Sequence, residues 1–127
     1  MHRKDLIQYL NEQMDSSDFK AIVSEEVQSF KKNLQIKGGS VPIIYDGDNI
    51  ETKITYAYLK RLGEDFLHDQ LDEYYISYIV DALSLSEHSQ FESEELKEKF
   101  YALTDFEVNG HLTKSFMMQI LNDKSAT

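Results

Sequence analysis

The amino-acid sequence predicts a mainly α protein: a single domain over residues 1–127, built as a bundle of five to six helices, with room for one short β-hairpin near residues 41–56. Three observations lead there. Apolar residues recur at helical spacing over most of the chain. Proline, which interrupts helices by removing a backbone donor, occurs once, at Pro42. A length of 127 residues with 41% hydrophobic residues is enough for one core and falls in the usual single-domain range.

Each element follows from its own stretch. Leu6, Ile7 and Leu10 form a short apolar face. Phe19, Ile22, Val23, Val27, Phe30 and Leu34 form a longer one, entered through Asp15-Ser16-Ser17-Asp18, any of which can cap it, and closed by Gly38. After Val41-Pro42-Ile43-Ile44-Tyr45 and the Asp46-Gly47-Asp48-Asn49 turn, the order Ile50, Thr52, Ile54, Tyr56 alternates with period two. That alternation permits a hairpin back to residues 41–45, and the same residues can equally open a helix. Tyr58, Leu59, Leu62, Phe66 and Leu67 then mark a helix. Leu71, Tyr75, Tyr78, Ile79, Ala82 and Leu83 mark the next, which reads as the core helix. Ser93 ahead of Glu94 and Glu95 is a cap followed by two acids that complement the helix dipole. Thr113 caps a last helix carrying Phe116, Met117, Ile120 and Leu121. Gly38-Gly39-Ser40, Asp46 to Asn49 and Val108-Asn109-Gly110 are turns rather than domain linkers.

The chain has 13 Lys and Arg against 23 Asp and Glu, a formal charge of −10. Phosphate backbones are held mainly by Lys and Arg that displace counterions, and the few bases here are scattered, so nucleic acid is not an expected partner. The acidity is concentrated. Residues 1–40 are balanced, whereas residues 41–112 hold five bases and sixteen acids, a local balance of −11. No stretch approaches the roughly 20 apolar residues of a membrane span, and the basic start Met1-His2-Arg3-Lys4-Asp5 leads into no unbroken apolar run. With no Cys, the expectation is a cytoplasmic protein with no membrane attachment.

Chemistry-bearing patterns are few. Glu64, His68 and Asp72 repeat at i, i+4, i+8 and would share a face of one continuous helix, yet the Asp65-x-x-His68 element occurs once where a di-iron bundle needs two. Asp46-Gly47-Asp48-Asn49 starts like a calcium loop, but Ile50 and Glu51 stand where a ligand and a glycine belong. There is no phosphate loop, nucleophile elbow or His-Glu-x-x-His run. The chain is therefore expected to be no enzyme and to hold no metal or cofactor.

What is left is a binding surface. Gln70 to Tyr78 mixes acids with three tyrosines, a residue enriched in interface cores for its large stiff face and polar tip. If Leu71, Tyr75, Tyr78 and Ile79 face the core, then Asp72 and Glu73 lie on other sides of that helix and Tyr74 sits at the boundary. Asp69, Asp72, Glu73 and Tyr74 are accordingly the candidate partner-binding residues. Glu92, Glu94, Glu95 and Glu98 form a solvated face whose field can steer a basic partner.

The run Tyr78-Ile79-Val80-Asp81-Ala82-Leu83-Ser84-Leu85-Ser86-Glu87, then Phe91, then Leu103-Thr104-Asp105-Phe106-Glu107-Val108-Asn109-Gly110 resembles small bacterial immunity proteins, in particular those of Maf-type polymorphic toxin systems. The similarity covers about residues 74–121, and Phe106 stands where the pattern has Pro. It implies a cytoplasmic immunity protein that binds and neutralises one cognate toxin domain, often a nuclease. Nucleases are basic in order to hold their substrate, and an acidic surface complements them. The alternative is a non-catalytic regulatory or scaffold protein acting as a homodimer; in either case the chain is expected as a monomer or homodimer in solution.

Overall fold

The computed structural model describes residues 2–34, 51–85, 89–104 and 111–122. They contain six helices and two short strands: α1 (Arg3–Leu10), α2 (Ser16–Leu34), β1 (Thr52–Ile54), α3 (Tyr56–Leu67), α4 (Glu73–Leu85), β2 (Ser89–Phe91), α5 (Glu94–Ala102) and α6 (Lys114–Asn122). The mainly helical bundle predicted from apolar spacing is the observed architecture.

Helices α1 to α4 close a ring, α1 packing on α2, α2 on α4, α4 on α3 and α3 back on α1. Each contributes one buried stripe: Leu6, Tyr9 and Leu10 from α1; Phe19, Val23, Val27 and Phe30 from α2; Tyr58, Leu59, Leu62 and Phe66 from α3. Ile22, expected on the α2 stripe, is about half exposed, since a helix presents only part of its circumference to the ring. Helix α4 is the central element. Tyr75 through Val80, Ala82 and Leu83 are all buried, and a helix apolar nearly all round is one enclosed on most sides. Aromatic pairs tie the ring together, with Tyr9 stacked on Phe19 at 4.4 Å and Phe30 edge-on to Tyr78 at 5.2 Å. Helix α6 lies against α3.

Helix ends follow local chemistry. The Ser93 hydroxyl accepts from the Leu96 N–H (3.1 Å) and the Thr113 hydroxyl from the Phe116 N–H (3.1 Å), the two caps read from sequence. Helices α1 and α3 end alike. In α1 the Gln13 N–H donates to Gln8 C=O (2.8 Å) and Glu12 takes φ 62°; in α3 the Gln70 N–H donates to Asp65 C=O (2.8 Å) and Asp69 takes φ 62°. Both are six-to-one closures with an acidic residue in the left-handed position that glycine usually fills.

The strand expected at the end of residues 41–56 is present at Thr52–Ile54, but its described partner is Ser89–Phe91, in parallel, with Thr52 opposite Ser89 and Ile54 opposite Phe91. A parallel pair needs a long crossover, which α3 and α4 supply. Residues 41–50, the other arm of the expected hairpin, and the Asp105 to Gly110 turn lie outside the described residues. The buried Arg3 guanidinium donates to the Thr52 hydroxyl and fastens α1 to β1. On the outer side, Phe91 meets Phe100 of α5 edge-on at 5.4 Å.

Candidate interaction groove

The α3–α4 junction is built by the left-handed turn at Asp69. That turn ends α3 at Leu67, reverses the chain and lets Leu71 drop into the core before α4 begins at Glu73. Glu64, His68 and Asp72 therefore do not share one helical face: His68 is the C-cap of α3 and Asp72 belongs to the start of α4. Among the described residues no three His, Asp or Glu side chains come close enough to hold a metal ion.

Against this junction lies the segment leading into α6, and between them is a concavity of about 360 Å³. Asp69, Asp72, Glu73 and Tyr74 all line it, together with Phe66, Leu71, His111, Leu112 and Lys114. Sequence spacing puts Asp72 and Glu73 on different sides of the helix and Tyr74 at its boundary; the tertiary structure brings all four to one wall and adds a second from a segment about 40 residues later.

Each acid of the four has a partner within the fold. Asp72 Oδ1 accepts from the N–H groups of Tyr74 (3.0 Å) and Tyr75 (3.1 Å), capping α4 at its positive end. Glu73 is only 15% exposed in its side chain; Oε2 accepts from the Leu112 N–H (2.8 Å) and Oε1 lies 2.7 Å from Nδ1 of His111. Asp69 pairs with Lys114 at 3.0 Å, both side chains more than half in water. Such exposed pairs contribute little, about 0–1 kcal/mol. Tyr74 is half-buried, packs against the edge of the core and carries the Lys31 ammonium 4.9 Å from its ring centroid. Glu73 and Tyr74 are thus less exposed than their helical positions suggested, because the α6 segment and Lys31 cover them. Next to them burial, and secondarily the Asp72 charge, raise the Tyr75 hydroxyl above the ordinary tyrosine range.

A second concavity, about 430 Å³, lies between α1 and α3 and is lined by Asn11, Glu12, Thr55, Lys60, Arg61 and Glu64 among others. Its charges largely answer one another: Lys60 is 3.8 Å from Glu64, and Arg61 is 3.9 Å from Glu12. Beneath it Arg61 Nε donates to Asp65 Oδ2 (3.2 Å), Arg61 Nη2 donates to the Met14 carbonyl (3.1 Å), and the Tyr9 hydroxyl donates to the same Asp65 oxygen. The Tyr9 ring is fully buried, and burial, then the bond to Asp65, push its phenol well above the ordinary range. Sequence reading missed this network, because Tyr9 and Asp65 are 56 positions apart and neither stands in a recognisable motif.

The remaining acids read as solvated are so: Glu92, Glu94, Glu95 and Glu98 are exposed. No described helix is long and apolar enough to cross a membrane. Comparison of the chain with protein-family models, curated proteins and solved structures finds no match in any of the three.

Proposed function

We propose that the protein works by association rather than catalysis, as a cytoplasmic immunity protein whose acidic surface binds and neutralises a basic toxin domain, most readily a nuclease. The family resemblance over residues 74–121 supplies the partner class. The observation that carries the reading is the meeting of Asp69, Asp72, Glu73 and Tyr74 on one concave wall. Within that wall the roles divide by what each group already does. Asp72 and Glu73 hold backbone N–H groups and shape the groove. Asp69 exchanges the exposed Lys114 for a cation of the partner at small cost, because the pair it gives up is solvent-screened. Tyr74 offers a stiff aromatic edge of the kind that anchors interface centres. Glu92, Glu94, Glu95 and Glu98 add a long-range field that speeds encounter with a positive surface.

The test is reconstitution with the toxin domain encoded beside this chain. Stoichiometric loss of the toxin's activity is expected, with an association rate that falls as salt rises from low to physiological ionic strength, where charges are screened beyond about 8 Å. An unchanged toxin activity, or substrate turnover by this protein alone, overturns the reading. The homodimer alternative would bury the half-exposed Ile22 and Met118; sedimentation of the free protein as a monomer removes it.

A further inference from the structure

Helix α6 is attached differently from the other long elements. It buries a single residue fully, Met117, whereas Phe116, Ile120 and Leu121 are half-covered and Met118 is about half exposed. It lies outside the α1–α4 ring, its main contacts being with α3. Its two ends are pinned by small and specific contacts. At the far end the Tyr56 hydroxyl donates to the Leu121 carbonyl (2.6 Å), and the Leu121 side chain fills the notch over Gly63 so closely that a Cβ there would stand 2.6 Å from its Cδ1. At the near end the Glu73 carboxylate takes the Leu112 N–H with one oxygen and His111 with the other, while Asp69 holds Lys114.

We propose that α6 is a detachable strap, released as a unit from the side of α3 that carries Tyr56 and Gly63 when the Glu73 latch opens, while the four-helix ring stays folded. The ring's closure is independent of α6: each of α1 to α4 packs on two others of the four, α4 on α2 and α3. The strap's near end rests on the Glu73 carboxylate, 15% exposed while His111 and Leu112 sit on its two oxygens; opening gives up both contacts together and uncovers the carboxylate to water, so one side chain holds that end. Helix α6 packs closely but on α3 as its main neighbour, with one fully buried side chain, and an element held mainly by one neighbour can open below the global unfolding free energy. Release would remove the wall that His111, Leu112 and Lys114 give the groove, so the strap sets whether the groove exists. This inference stands on the free protein and does not depend on the partner reading.

Native-state hydrogen exchange of the full chain tests it. The amides of Met117 to Leu121 are expected to exchange at least tenfold faster than the interior amides of α2 and α4. Glu73→Ala is expected to speed the α6 amides a further tenfold while the α2 and α4 amides change less than twofold. Leu121→Ala, which loosens the opposite end without touching the groove, is expected to give the same selective pattern. Equal protection of α6 and α4 in the parent, or a uniform loss across all helices in both variants, would overturn the proposal.

Discussion

Replacing Tyr9 with Phe deletes one hydroxyl from the middle of the bundle and leaves the ring where it is. The stacking on Phe19, at 4.4 Å and 13° between planes, survives, as does the burial of the ring. What changes is Asp65, whose Oδ2 loses the Tyr9 donor and keeps only Arg61 Nε at 3.2 Å. The Asp65 side chain is 15% exposed, so water replaces the lost donor incompletely. Hydrogen bonds to charged groups contribute about 1.5–3 kcal/mol net, and the retained Arg61 bond places the expected cost near the middle, about 2 kcal/mol. Against a total stability of roughly 5–15 kcal/mol this is a large fraction. In urea unfolding, the midpoint is expected to fall by about 1 M with the slope unchanged, since no surface is newly exposed. A cycle combining Tyr9→Phe with Asp65→Asn is expected to return a coupling of at least about 1 kcal/mol, because the two side chains share one bond. The phenol supplies a second readout: with its ionisation pushed above the ordinary range, Tyr9 is expected to stay un-ionised at alkaline pH until the bundle unfolds. A Tyr9→Phe protein within about 0.5 kcal/mol of the parent, the usual range for inconsequential surface changes, would refute the reasoning.

Three further outcomes are expected. Tyr74→Ala and Asp69→Lys should each leave the helical signal intact and weaken partner binding, Tyr74→Ala by about thirtyfold, equivalent to roughly 2 kcal/mol, in a titration against the toxin domain; Asp72→Lys and Glu73→Lys are poorer probes, because both acids hold backbone N–H groups. Burial raises the Asp81 carboxyl above its ordinary value, so the folded state holds this proton more tightly than the unfolded one; that stability is fully present in acid and is lost as pH rises through the folded value. Asp81→Asn is therefore expected to raise Tm at pH 7 and to leave it unchanged at pH 3, and equal melting of variant and parent at both would count against a desolvated carboxylate. Glu12→Gly relieves a left-handed residue at φ 62° and sacrifices only a 3.9 Å ion pair to a largely exposed carboxylate, so a gain of about 1 kcal/mol in chemical denaturation is expected; a loss would mean the Glu12–Arg61 pair matters more than the backbone.

The helices and their caps were legible in the sequence by itself, since a buried stripe is written in residues three and four apart and a cap such as Ser93 or Thr113 is satisfied within four positions. The same locality made α4 recognisable as the core helix, and put Tyr75, Tyr78 and Ile79 inside. It also set a limit. Apolar spacing separates one helix ending at Leu67 from the next opening at Leu71, but the left-handed closure at Asp69 carries no local mark, because an acidic residue stands where glycine usually signals it. Only the tertiary structure decided that Thr52–Ile54 pairs in parallel with Ser89–Phe91, that Tyr9 donates to Asp65, and that Glu73 clasps Leu112. These contacts join positions 37 to 56 apart, where loop-closure entropy is repaid by packing of the whole ring rather than by any neighbouring residue. The four residues of the candidate groove show both sides of this division. Their closeness in sequence is plain from positions 69 to 74, whereas the commitment of Glu73, the covering of Tyr74 and the opposite wall of the groove come from chain segments that no local pattern specifies.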